Sequence, residues 1–211
     1  YLKKFITNIR IIYLKEANFV KKLIYMNQNT TDIDLCIIID GDYLDFVTKD
    51  MKSFFDEKTD ATTQPIELAQ FAYYVSTLNN IEGSNNQIVV MMALCDSKLF
   101  SAFTTPDIEK NYSQASYQTD AGIIEFFVGK SENMAPSEEF TLDLLSVAVS
   151  QQNIKRICVI ADSSMKEDVE EISRQKGNVK LLTINPSQIT EDTNPEDSLA
   201  YPIMLSLNVG D

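Results

Sequence analysis

No histidine occurs in this sequence. Its absence removes Ser-His and Cys-His nucleophilic catalysis, the commonest general base, and the commonest ligand for zinc, copper or iron, so enzyme chemistry would have to run on carboxylates. Cysteine is scarce. Cys36, Cys95 and Cys158 each fall inside or at the edge of an apolar run, at a spacing that matches no zinc or redox signature, and buried reduced thiols are expected. Gly and Pro number six each, too few for a fibrous or disordered chain, whereas 44% hydrophobic content over 211 residues suffices for one sizeable core. Basic residues are outnumbered by acidic ones, 18 to 31, but unevenly: residues 1–25 carry six basic groups and one acid. With that segment at +5 and the whole chain at −13, the remainder stands at −18. A body so acidic repels a phosphate backbone, which argues against nucleic acid or an anionic membrane as its partner and suits protein partners.

Residues 1–25 mix Leu, Ile, Phe and Tyr with Lys, yet no apolar stretch there reaches the length needed to cross a bilayer. The first Met is Met26, and residues 1–25 are expected to be a basic extension outside the fold. Residues 26–211 are expected to form one domain, acidic and irregular from about residue 186.

That domain is organised around Leu35 to Ile39, a continuously apolar run ending in Asp40-Gly41-Asp42. A run without alternation suits a strand covered by helices on both faces, the central strand of a parallel sheet. Its carboxyl end is then a candidate site, because ligands and partners gather where the connections of such a sheet reverse. Helical spacing follows from Tyr43 to Asp56, and a second helix is predicted from Pro65 to Asn79-Asn80. Gln87 to Leu94 is read as a strand, Cys95-Asp96-Ser97 as a hairpin turn, and Lys98 to Phe103 as its antiparallel partner at the sheet edge. Thr105 is expected to cap a short helix through Asn111, while Ile123 to Val128 stays open between strand and helix. Pro136-Ser137 should open a helix to about Gln151. Ile154 to Ala161 forms the second buried strand, ending in Asp162 as the first ends in Asp40. Ser163 or Ser164 caps a helix to about Lys176, and Val179 to Ile184 forms the last strand. Leu199 to Leu207, interrupted by Pro202, is expected to be docked coil or edge strand. The sum is an α/β fold, a three-layer αβα sandwich of Rossmann-like kind with a mostly parallel sheet and one antiparallel edge strand.

Asp40, Asp42 and Asp162 at strand ends suit a magnesium site for phosphoryl transfer, and Asp40-Gly-Asp42 resembles the haloacid-dehalogenase phosphatase pattern. Leu44 stands where that family has Thr or Val. Asp40, Asp42 and Leu44 also resemble the Asp-x-Ser-x-Ser motif of von Willebrand factor A domains with both hydroxyls replaced, and Asp162 stands where those domains carry a later Asp. Asn85 to Leu94, Lys98 to Phe103, Thr104-Thr105-Pro106-Asp107-Ile108 and Lys155 to Ser163 are similar to the von Willebrand A subunit of the proteasome regulatory particle, over about residues 26–185.

That resemblance implies a non-catalytic protein-interaction subunit, cytoplasmic and nuclear, that stabilises neighbouring subunits in ubiquitin-dependent degradation. It also implies a partner-binding rim of Asp40, Gly41, Asp42, Tyr43 and Ser163 with no cofactor; with both hydroxyls replaced no metal is expected, and the chain departs from such relatives in showing no ubiquitin-interacting tail. The alternatives are a magnesium-dependent phosphatase or nuclease using Asp40, Asp42 and Asp162, and the von Willebrand A subunit of another large complex such as the transcription/repair factor.

Overall fold

The computed structural model describes residues 31–58, 62–95, 99–131, 135–174, 176–184 and 198–209. All six residues of β1 (Leu35–Asp40) are buried, as an apolar run with no polar face requires. β1 pairs in parallel with β2 (Asn86–Leu94) on one side and β5 (Ile157–Ile160) on the other. Outside β2 lies β4 (Gly122–Lys130), and outside β5 lies β6 (Val179–Leu182), both parallel. β3 (Ser116–Thr119) pairs antiparallel with β4 and closes one edge, giving the order β3-β4-β2-β1-β5-β6.

The pleat of β1 divides the core in two. Leu35, Ile37 and Ile39 point to a layer built by α1 (Gly41–Lys58), α2 (Leu68–Leu78) and α6 (Ala200–Ser206), through Leu44, Val47, Phe71 and Ile203. Cys36 and Ile38 point the opposite way, to Phe140 and Leu144 of α4 (Ser137–Ser150) and Val169 of α5 (Lys166–Ser173). Each fully buried Ile of β1 contributes about 1.5–3 kcal/mol of transfer free energy, so this strand anchors both layers. The molecule is thus an α/β three-layer arrangement of Rossmann-like kind. Among the described residues no helix is long and apolar enough to cross a membrane.

Several expectations are corrected. Of the strand expected over Lys98 to Phe103, the described residues 99–103 form no antiparallel strand, and Phe103 instead makes a parallel bridge to Ile66; residues 96–98 lie outside the described residues. Phe100 and Phe103 are both buried, with their rings 5.7 Å apart edge to face, and Phe103 N donates to Phe100 O. Two aromatics three residues apart reach one core by a turn, whereas a strand would send them to opposite faces. The antiparallel edge is β3, followed by a tight turn at Gly122, whose φ of 130° no side chain favours and whose added Cβ would lie 2.2 Å from Asn86 O. Ile123 to Val128 resolves as strand within β4.

The second helix starts at Leu68, not Pro65. Ile66 N is taken by Ala102 O, and Glu67 caps α2 by accepting from Gln70 N at 2.7 Å. Carboxylates likewise displace the expected hydroxyl caps: Asp107 rather than Thr105 caps α3 (Ile108–Tyr112), and Asp162 rather than Ser163 or Ser164 caps the 3₁₀ turn Ser163–Met165 before α5. The segment around Pro202 is helical, since Pro202 sits in the first turn of α6, where a missing N–H breaks no intrahelical bond. Ser198 forms a parallel bridge with Thr183, so the described segments on either side of residues 185–197 meet there. The proposed extension over residues 1–25 lies outside the described residues, as do residues 185–197 of the acidic tail.

Candidate functional site

From β1 the chain proceeds to β2 and β4 on one side, then crosses back through α4 to β5 and β6 on the other. The carboxyl ends of β1 and β5 therefore flank the point where the strand order reverses, the usual position of a site in such a sheet.

Asp40 ends β1 with only 1% of its surface exposed. Its Oδ1 accepts from Asp42 N at 3.0 Å and Tyr43 N at 3.1 Å, the geometry of a helix N-cap. Ser137, the first residue of α4, is buried close enough to the same carboxyl to favour its charged form. The starts of two helices thus lie beside one buried group. Burial pushes the Asp40 carboxyl above the usual carboxylate range, against the opposing influence of the Tyr43 hydrogen bond and of Ser137, and the charges of Asp42 and Glu138 push the same way as burial.

Gly41 lets α1 begin at once. A Cβ there would lie 2.9 Å from Ala93 O and 2.4 Å from Leu94 Cδ2, so only glycine permits the helix to start against the end of β2. Tyr43 is buried, and its hydroxyl accepts from Ile184 N at 2.8 Å and donates to Ile184 O at 3.1 Å, with Thr183 Oγ1 3.0 Å away. Burial raises its pKa, so the phenol remains a neutral tie between α1 and the chain just after β6.

Across the reversal point, Asp162 Oδ1 accepts from Ser164 N at 2.8 Å. Hydrogen bonds from the Ser164 backbone and hydroxyl hold this carboxyl below its usual range. Ser163 is exposed, Asp42 half-buried, and Glu138 and Glu139 of α4 are exposed. The structure therefore brings the predicted rim residues to one end of the sheet but divides them: Asp40, Gly41 and Tyr43 are internal, while Asp42 and Ser163 reach the surface. Asp40, Asp42 and Asp162 are not assembled as a ligand set, for among the described residues no three acidic or Cys side chains are grouped to hold a metal ion.

Ser137 was expected only as a helix opener. Nothing in its local sequence marks it as a partner of Asp40, nor Thr183 and Ile184 as partners of Tyr43, because these pairings join segments distant in the chain. Cys36 and Cys158 lie on neighbouring strands but point into opposite layers. Burial drives each thiol up to about 12, far from nucleophilic thiolate.

No curated protein and no solved structure matches the chain. The family described as "Family of unknown function (DUF6621)" matches residues 30–210, and the chain belongs to that family.

Proposed function

We propose that the domain is a non-catalytic protein-interaction module of the von Willebrand A kind, docking through the rim at the carboxyl ends of β1 and β5. The observation that carries this reading is the employment of Asp40: buried, it accepts from two backbone amides of α1, with Ser137 at the start of α4 close by. Its carboxylate is committed to joining two helix starts, which leaves Asp42 and Ser163 as the polar contacts on the outer surface. Asp40, Gly41 and Tyr43 act from beneath by fixing the backbone that presents them. A rigid acidic edge suits a partner whose own surface is basic.

The role proposed is architectural, as in the von Willebrand A subunit of the proteasome regulatory particle, with cytoplasmic and nuclear residence. The likeness of Thr104 to Ile108 and of Lys155 to Ser163 supports this finer reading. The edge strand does not, since it comes from Ser116–Thr119 rather than from Lys98 to Phe103.

The test is retention of a tagged full chain from native lysate, sized on a gradient with its partners identified, beside an Asp42→Arg/Ser163→Arg variant. Recovery of regulatory-particle subunits by the wild type, lost in the folded variant, supports the proposal. Retention of the same partners by both proteins removes the rim as the docking edge. Recovery of the wild type alone, together with magnesium-dependent phosphatase or nuclease activity that Asp42→Asn abolishes, would replace docking with catalysis.

A further inference from the structure

Outside the rim, the described surface carries one aligned apolar feature. Phe46 and Phe54 on α1 are 63% and 53% exposed, although the rest of that helix buries its large apolar side chains wholly or in part. With Asp50 between them they stand four residues apart, so the three form one row along a single helix face, about 12 Å long. The charges around the row are acidic on balance. Lys49 is paired with Asp45 at 2.8 Å and Lys52 with Asp56 at 2.9 Å, which leaves exposed Asp50 and Glu57 beside the two rings, with Lys58 beyond them at the helix end.

We propose that the basic segment of residues 1–25 docks on this face of α1. Its composition is complementary to it: six basic groups against one acid, with Leu2, Phe5, Ile6, Ile9 and Tyr13 recurring at three- and four-residue intervals. Only residues 26–30 separate the segment in sequence from the described chain, which is fastened by the hydrogen bond from Ile33 N to Asn153 O. Apolar side chains would cover Phe46 and Phe54, and lysines would neutralise Asp50 and Glu57. A segment that shares the −18 of the remaining chain would be repelled there instead.

The test is limited trypsin digestion of the full chain, since residues 1–25 hold six cleavage sites at Lys3, Lys4, Arg10, Lys15, Lys21 and Lys22. When opening is fast, cleavage tracks the undocked fraction, so a docked segment should be cut about tenfold more slowly in the wild type than in Phe46→Asp/Phe54→Asp. Both substitutions fall on exposed positions and should leave the far-UV spectrum unchanged. Asp50→Lys/Glu57→Lys, which keeps both rings, should also speed cleavage. Equal rates in the wild type and both variants would overturn the proposal. Protection that strengthens with protein concentration and accompanies a doubled mass on sizing would also overturn it, giving the face to a second copy of the chain.

Discussion

The hydroxyl of Tyr43 accepts a hydrogen bond from the backbone amide of Ile184 at 2.8 Å, joining positions 141 residues apart. It fastens the start of α1 to the end of β6 across the edge that carries Asp42 and Ser163. Tyr43→Phe would leave the Ile184 amide and carbonyl without that partner inside a buried contact. The expected cost is about 1–3 kcal/mol, read as a lower denaturant midpoint at unchanged slope. Loss of amide protection confined to Ile184 and the first turn of α1 would locate the effect.

Asp40 offers a test with a definite sign in pH. Its folded-state pKa is raised above the ordinary 3.8, so its contribution is fully present below that value and is lost as pH rises through the folded pKa. Asp40→Asn keeps an Oδ1 acceptor for Asp42 N and Tyr43 N but cannot ionise. The stability difference between variant and wild type should therefore shift in favour of Asn as pH rises from below 3.8 towards neutrality, then level off. Urea titrations of both proteins at several pH values measure it, and a pH-independent difference would contradict the assignment.

Asp162 should behave in the opposite sense. Its folded pKa is lowered, so its stabilisation is present above the unfolded value and disappears as pH falls through the folded one. Asp162→Ala should cost about 0.5–1 kcal/mol at neutral pH, the low end for a cap because solvent reaches the carboxylate. The cost should shrink in acid, as thermal melts across the carboxylate range would record.

Gly41→Ala places a methyl group against Ala93 O, a backbone atom that cannot swing away. Overpacking of this kind costs about 1–3 kcal/mol and should push the first turn of α1 off β2. A melting temperature equal to that of the wild type would show that the edge yields more than the geometry allows.

Thiol labelling discriminates the cysteines. With pKa values near 12, Cys36 and Cys158 expose a thiolate fraction of about 10⁻⁴ at pH 8, and burial slows them further, so only half-buried Cys95 should react in the folded protein. All three should react in denaturant, counted with a chromogenic disulfide reagent.

Much of the sheet was legible along the chain. Leu35 to Ile39, Gln87 to Leu94 and Ile154 to Ala161 announce buried strands through their apolar runs, although the last forms strand only over Ile157–Ile160, after exposed Lys155 and Arg156. Periodicity marked most of the buried stripes of α1 and α4, because a helix that covers a sheet must present one face to it, but Phe54, at helical spacing with Leu44, Val47 and Met51, is exposed, and Val147 is only half-buried. What failed was local punctuation. Pro65, Thr105 and Ser163 each resemble a helix start, yet the starts fall at Glu67, Asp107 and Asp162, where a carboxylate meets free amides once the neighbouring backbone has been taken up elsewhere.

The sequence alone determined a parallel α/β core and the meeting of acidic strand ends at one edge, since continuous apolar runs permit no other burial. Only the tertiary structure decided which carboxylates face water. Asp40 is buried where Ser137, 97 positions away in sequence, comes beside it, and the tie of Tyr43 depends on Ile184. Such pairings arise when separate segments are brought together by the burial of their apolar faces, a step that no local pattern records.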